Sequence, residues 1–199
     1  MIKINEKHLP GRSPHGYKVA PVSKLDLRRD SDAIRKILKE EGCYKGGYFI
    51  NIDKLLEKTL RQVGYEPHII GDDQLPGIAA YTDPTKKLIV MRQSVYDGLS
   101  YDDPFSRFTV IHEFSHIFLC HGQTFHRDTV NGAHKWYEDS EWQANNLAAE
   151  IMMPVEIFRD FGRESSLIMQ ICGVGSQAVE CRMKNLRKEG ILEKRSSLL

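Results

Sequence analysis

Apolar side chains recur at helical spacing in several segments of the chain, which predicts a mostly helical protein. Residues 30–42 and 51–64 each show this spacing, and each segment ends at a glycine that can stop a helix. Residues 65–70 are strand-like in composition. Two apolar runs within residues 77–91 flank the turn Thr82-Asp83-Pro84-Thr85 and predict a β-hairpin. Beyond residue 160 the pattern predicts two short helices.

The longest set of apolar positions lies in residues 104–121 and predicts a helix that is buried on most sides. Asp103 is a suitable N-cap, Pro104 fits the first helical position, and Gly122 is a natural stop. The apolar side chains that cover most of the circumference are Phe108, Val110, Ile111, Phe114, Ile117, Phe118 and Leu119. The polar side chains form one stripe of Thr109, His112, Glu113, His116 and Cys120. A buried stripe of titratable groups needs partners.

The composition is that of one globular domain and sets few limits on its partners. The chain has 199 residues and a formal net charge of +1, so no global field favours nucleic acid or a membrane. The four cysteines show no CxxC spacing, which favours free thiols in a reducing compartment. Because no apolar run approaches membrane-spanning length and the first residues lack an apolar signal core, we predict a cytoplasmic protein without a membrane partner.

Two histidines of the polar stripe are spaced to bind one metal ion. His112 and His116 are four residues apart, so their rings lie one above the other on a helix, about 40° apart around its axis. Glu113 is displaced by about 100° from His112, close enough to hold a water on the metal without being a ligand. This is the HExxH pattern of zinc metallopeptidases. The competing interpretation is a pair of core histidines hydrogen-bonded to the backbone.

A catalytic zinc site needs a third protein ligand, and several histidines near the motif are candidates. His121 follows on the last predicted turn of the same helix and is expected to point away from the polar stripe. His126 and His134 lie in the polar stretch before residue 140, which is long enough to be a functional loop and to reach the metal. The metzincin pattern HExxHxxGxxH is excluded, because Leu119 and Gly122 occupy its glycine and third histidine.

Glu141 is the better candidate for the third ligand. It opens a predicted helix that Ser140 caps and that Pro154 follows. One face of this helix has small side chains and consists of Glu141, Ala144, Asn145 and Ala148. Small side chains allow a close approach to the HExxH helix, and Asn145 is placed to hydrogen-bond a ligating imidazole. The competing interpretation of Glu141 is an acidic residue favoured at a helix N-terminus by the helix dipole.

These segments together resemble the IrrE/ImmA family of metallo-endopeptidases. The matching stretches are Arg107-Phe-Thr-Val-Ile-His-Glu-Phe-Ser-His116, Glu141-Trp-Gln-Ala-Asn145 and Ala148-Ala-Glu-Ile-Met-Met-Pro154, within a resemblance that extends over about residues 25–192. The resemblance implies His112, His116 and Glu141 as zinc ligands and Glu113 as the catalytic base. Ser115 and Leu147 depart from the glycine and phenylalanine that are usual in the family, which affects substrate fit more than metal binding.

The combined expectation is an α+β fold of the zincin-like type. It is mostly helical, with a small antiparallel β-sheet beside the HExxH helix and a short helical region at the C-terminus. We expect a flexible basic arm in residues 1–20, a metallopeptidase domain in residues 21–160 and a helical subdomain in residues 161–199, which could resemble a helix-turn-helix.

The resemblance implies a zinc-dependent endopeptidase, with Mn²⁺ as an alternative metal. Its implied substrate is a specific protein, an Xre-type helix-turn-helix repressor, and cleavage would relieve transcriptional repression in a stress response or a mobile element. Tyr81, His134 and Tyr137 are candidates for stabilising the oxyanion of the reaction. Residues 87–91 are a candidate edge strand for pairing with an extended substrate.

Two other functions remain open at the level of sequence. The first is a non-catalytic anti-repressor that sequesters its partner and uses the metal for structure. The second is a DNA-binding regulator, since the predicted C-terminal helix carries the basic residues Arg182, Lys184, Arg187 and Lys188. The competing interpretation of that helix is a packing element with a solvated basic face.

Overall fold

A computed structural model describes residues 16–122, 134–162 and 164–193 of the chain. The fold is α+β and mostly helical, which confirms the predicted fold class. The helices are α1 (Lys24–Glu40), α2 (Ile52–Lys54, continued by a π-helical stretch Leu55–Leu60), α3 (Gln93–Leu99), α4 (Pro104–Phe118), α5 (Ser140–Met152), α6 (Val155–Asp160), α7 (Ser165–Cys172) and α8 (Ser176–Lys188). The strands are β1 (Tyr44–Gly46), β2 (Phe49–Ile50), β3 (Glu66–Ile70), β4 (Ala80–Asp83) and β5 (Leu88–Arg92).

The larger sheet has three strands in the order β3-β5-β4. The predicted hairpin is confirmed, because β4 and β5 pair antiparallel with Thr82 opposite Ile89. The sheet differs from the purely antiparallel one expected, since β3 pairs parallel with β5. The prediction that residues 87–91 form an edge strand is wrong: β5 lies between β3 and β4, which are the two edge strands. The hairpin alone could not show this, because the third strand, β3, precedes the hairpin in the sequence and is not part of it.

Helix α4, which contains the HExxH motif, lies at the centre of the packing. It packs against α5, against α3 and against the edge strand β4. Helix α5 packs in turn against α1, and its residues Ala144 and Ala148 have no exposed surface. The small side chains predicted for α5 therefore lie where two helices approach it. This arrangement brings the N-terminus of α5 and the strand β4 to the polar stripe of α4.

The C-terminus of α4 and the N-terminus of α5, which face the site, differ in detail from the predicted helix boundaries. Helix α4 ends at Phe118 rather than at residue 121, and Cys120 adopts a left-handed conformation with φ of 54°. The amide of His121 then donates to the carbonyl of His116, as in a Schellman-type C-terminal motif. At the start of α5, the N-cap is Asp139 rather than Ser140, and its side chain accepts a hydrogen bond from the amide of Trp142.

The residues before α1 are attached to the start of α5. Of the predicted arm 1–20, the structure describes residues from Gly16 onward. The carbonyl of Tyr17 accepts from the amide of Ser140, and the amide of Val19 donates to the carbonyl of Glu138. The described part of the arm is therefore bound to the body of the protein. The division into residues 1–20, 21–160 and 161–199 stays a prediction.

Helices α7 and α8 are the two short C-terminal helices that the sequence predicts. They pack against each other. Arg182 of α8 is only 4% exposed and pairs with Glu150 of α5, so it does not belong to a solvated basic face. Its burial removes one of the four residues on which the DNA-binding interpretation rested. Within the described part of the chain, no helix has the length and hydropathy needed to cross a bilayer.

Candidate metal centre

Three predicted ligands meet in one place. The Nε2 atoms of His112 and His116 are 3.0 Å apart. The carboxylate of Glu141 reaches both rings, with Oε2 at 3.2 Å from Nε2 of His112 and Oε1 at 3.3 Å from Nε2 of His116. The helix repeat brings the two rings together, and the packing of α5 on α4 supplies the carboxylate. Among the described residues, these three form the cluster that could hold a metal ion.

The geometry of the three donor atoms fits a small divalent cation. A tetrahedral zinc ion has bonds of about 2.0–2.1 Å to nitrogen and oxygen, which places neighbouring donors about 3.3 Å apart. The measured separations of 3.0–3.3 Å are close to that value. The histidine side chains are 15% and 12% exposed and that of Glu141 is 42% exposed, so the site is accessible from solvent. Two imidazoles and one carboxylate are a donor set typical of catalytic zinc.

The electrostatics of the cluster favour a carboxylate facing positive charge. Burial alone would raise the pKa of Glu141, but hydrogen bonds and charge from the two histidines outweigh burial and hold this pKa far below its ordinary value. Burial alone would lower the pKa of His112, but the interactions with Glu141 and Glu113 raise it. The Asn145 side chain also hydrogen-bonds His112, as its position on the predicted helix face suggested. A cation bound among these groups would replace the protons that they attract.

Glu113, the predicted catalytic base, is only 5% exposed and has a hydrogen-bond partner that the sequence did not reveal. The hydroxyl of Thr82 donates to its Oε2 at 2.8 Å. Thr82 lies in the edge strand β4, which packs against α4, and not in the predicted hairpin turn. Along a strand, alternate residues face the same side. The signal that could have identified Thr82 is therefore its position in the strand, one residue away from the exposed Tyr81.

His121 contacts the site, so the prediction that it points away is wrong. Its Nδ1 lies 2.9 Å from Nδ1 of His116, and its Nε2 lies 3.0 Å from Oε1 of Gln143. The left-handed turn at Cys120 redirects the chain after α4 and brings His121 under the ring of His116. Burial lowers the pKa of His121 to about 4, which leaves its ring neutral at physiological pH. A helix continued to residue 121, as the sequence predicted, would not make this contact.

The other candidates are placed as follows. His126 lies outside the described residues. His134 is not part of the three-residue cluster, because its Nε2 lies 2.9 Å from Oδ2 of Asp139 and its side chain is 2% exposed. Tyr81 is 43% exposed on the edge strand β4 and remains available to a substrate. Tyr137 contributes its backbone carbonyl to a hydrogen bond with Gln143.

Comparison with known proteins finds a family model and a solved structure that are similar to this chain. Residues 101–184 match the family model described as the IrrE N-terminal-like domain of the Peptidase_M78 type. No curated protein matches the chain. A solved structure of a Mycobacterium tuberculosis transcriptional regulator is similar in fold, with a TM-score of 0.53 and 17% identity. That likeness covers 88% of this chain and 54% of the regulator, so the chain spans about half its length. Residues 101–184 are therefore similar to a metallopeptidase family model, in agreement with the IrrE/ImmA resemblance of the sequence motifs.

Proposed function

We propose that the protein is a zinc-dependent metallo-endopeptidase that hydrolyses a peptide bond in a specific protein. The observation that supports this most directly is the meeting of His112, His116 and Glu141 at donor separations suited to zinc, beside the buried carboxylate of Glu113. A structural zinc site would use four protein ligands and be closed to solvent. The three donors of this cluster and its exposed carboxylate favour catalysis instead.

The residues of the chain divide the work of peptide hydrolysis between them. His112, His116 and Glu141 would hold the metal. When bound, zinc supplies Lewis acidity toward a carbonyl group and a water molecule. Glu113 would accept the proton of the attacking water and transfer it to the leaving amine. The hydroxyl of Thr82 holds the carboxylate of Glu113 in one orientation through a charge-assisted hydrogen bond.

The edge strand β4 provides a surface for an extended peptide. Within the described residues, β4 pairs with β5 on one side only and lies against α4, close to the motif. An extended segment of a substrate could add to this edge through main-chain hydrogen bonds, with Tyr81 exposed beside it. Such pairing would present a backbone carbonyl to the metal centre. It recognises conformation rather than sequence, so the specificity for one protein would come from other contacts.

We further propose that the substrate is an Xre-type helix-turn-helix repressor and that its cleavage relieves transcriptional repression. The IrrE/ImmA family resemblance supports this proposal. The similar Mycobacterium tuberculosis protein is called a transcriptional regulator, which agrees with a regulatory setting. The composition of the chain, with a net charge of +1, agrees with a protein partner rather than with a nucleic acid.

Incubation of the zinc- or manganese-loaded protein with the repressor encoded beside it tests this function. Mass spectrometry should detect two fragments from one cleavage. The variant Glu113→Gln should keep its zinc and lose cleavage, whereas the matched control Glu66→Gln, which makes the same change on an exposed residue of β3, should stay active. An active Glu113→Gln variant would refute the role of the base. Absence of fragments with either metal would count against the proposed substrate.

Chelation separates catalysis from the alternative of an anti-repressor with a structural metal. If the metal is catalytic, removing it should abolish cleavage and leave the circular dichroism spectrum of the fold unchanged. If the metal is structural, its removal should unfold the protein. The core does not depend on the three ligands for its packing, because it consists of apolar side chains from nearly all helices and strands. We therefore expect the chelated protein to remain folded.

A further inference from the structure

A line of hydrogen bonds leads from the metal centre into the interior of the protein. It begins at Nδ1 of His116, the ring nitrogen that faces away from the cluster, and passes through His121 to Gln143. It ends at two backbone carbonyls, those of Ala20 and Tyr137, each of which accepts from Nε2 of Gln143 at 2.8 Å. Three segments of the chain, residues 116–121, residues 137–143 and the stretch at Ala20, thus contribute to one line of contacts.

The side-chain amide of Gln143 can have only one orientation here. Its NH₂ group has two hydrogens, and the carbonyls of Ala20 and Tyr137 accept both. A flipped amide would turn its own oxygen toward these two oxygens, and all three would lack a hydrogen. Oε1 therefore faces His121 and acts as an acceptor. Gln143 is 1% exposed, so water does not compete for these contacts.

The orientation of Gln143 determines the tautomer of His121, and His121 determines that of His116. Because Oε1 of Gln143 accepts, Nε2 of His121 must carry a hydrogen. A neutral ring has one such hydrogen, so Nδ1 of His121 is an acceptor. The 2.9 Å contact between the two Nδ1 atoms then contains a hydrogen from His116. Nε2 of His116, which faces Glu141, is then the ring nitrogen left for a cation.

We propose that His121 and Gln143 are positioning residues that fix the tautomer and ring orientation of His116 for metal binding. This inference rests on the proposed metal site. With the opposite polarity, the hydrogen of His116 would lie on Nε2, and that atom could not bind a cation. The line of contacts also ties the residues before α1 to the site, since Ala20 helps to orient Gln143. Outer partners of this kind typically change metal affinity by about 10–100-fold.

Zinc affinity, measured by competition with a chromogenic chelator on the full chain, tests the role of His121. His121→Leu keeps a side chain of similar volume and removes the acceptor, so its affinity should fall by about 10–100-fold. His121→Asn places an acceptor oxygen near the position of Nδ1 and should retain most of the affinity. If His121 only filled space, the smaller and more polar asparagine would be the worse substitute. Equal losses, or a greater loss with asparagine, would overturn the proposal.

Ser115→Ala serves as a matched control. Ser115 is buried next to His116, and its hydroxyl bonds to the carbonyl of Ile111 outside the line of contacts. This variant should bind zinc as the wild type does. A wild type that binds no zinc would contradict the metal site itself, whereas equal affinity of wild type and His121→Leu would contradict only the positioning role.

Nuclear magnetic resonance of the zinc-loaded wild type gives a second readout that needs no variant. With ¹⁵N-labelled histidine, His121 should appear as the neutral Nε2–H tautomer. A scalar coupling should connect the Nδ1 atoms of His116 and His121 across their hydrogen bond. A doubly protonated ring, an Nδ1–H tautomer at His121 or absence of the coupling would overturn the proposal, even if the His121→Leu variant did not fold.

Discussion

Replacement of Arg182 by leucine should be one of the most destabilising single changes in the chain. The guanidinium is 4% exposed and donates to Glu150 through Nη1 at 2.9 Å and through Nη2. Its Nε donates to the carbonyl of Met153 at 3.1 Å. In the variant Arg182→Leu, Glu150 would keep Arg28 as a partner, whose side chain is 24% exposed, and the carbonyl of Met153 would lose its donor.

The expected magnitude follows from the burial of the pair. Removing one partner of a buried, hydrogen-bonded ion pair typically costs about 3–5 kcal/mol, because the remaining charge is left desolvated. In a domain of this size, each kcal/mol lowers Tm by about 2–4 °C, so we expect a decrease of about 6–20 °C. Arg28 should keep the loss toward the lower end, since it continues to neutralise part of the charge of Glu150.

Urea and thermal unfolding, followed by circular dichroism, measure this loss in free energy. The control Lys184→Leu removes an exposed cation from the same helix and should change the free energy of unfolding by less than about 0.5 kcal/mol. The double variant Glu150→Leu/Arg182→Leu should be more stable than Arg182→Leu, because no charge is left buried alone. A loss below about 1 kcal/mol for Arg182→Leu, or a double variant less stable than the single one, would refute this reasoning.

Three further changes probe the site and the charges around α5. Glu141→Ala removes a ligand, so zinc affinity, measured by chelator competition, should fall by more than it does on loss of an outer partner, which costs about 10–100-fold. An unchanged affinity would exclude Glu141 as a ligand. Thr82→Val removes the hydrogen bond to Glu113, worth about 1.5–3 kcal/mol, and should lower kcat about tenfold or more without changing zinc content; unchanged kcat would show that the bond is not needed. Burial alone would raise the pKa of Glu189, but hydrogen bonds from two basic side chains of α1 outweigh burial and lower this pKa from 4.5. The ion pairs of Glu189 therefore stabilise the fold above pH 4.5, and this stabilisation is lost as the pH falls below that value. Urea unfolding between pH 3 and 7 should therefore show a smaller decline for Glu189→Gln than for the wild type, and equal declines would contradict the role of the ion pairs.

The parts of this protein that depend on local sequence could be predicted well. The spacing of His112 and His116 brings their rings together in any α-helix, and Asp103 with Pro104 begins that helix as expected. The hairpin of β4 and β5 follows from two apolar runs around a turn. These features need only the helix repeat, strand alternation and capping, which act over a few residues.

The parts that depend on contacts between distant segments were decided by the tertiary structure. Thr82 reaches Glu113 across 31 positions because the edge strand packs on α4, and no local pattern marks that contact. The sequence places Arg182 among the basic residues of a helix, whereas in the structure it is buried and pairs with Glu150, 32 positions away. The prediction for His121 was wrong because of a single residue, Cys120, whose backbone is left-handed. Residues other than glycine rarely adopt this conformation. The chain's own periodicity thus determined which residues can bind a metal, whereas the packing of separate elements decided which groups hold and orient them, because desolvated partners are chosen by proximity in space.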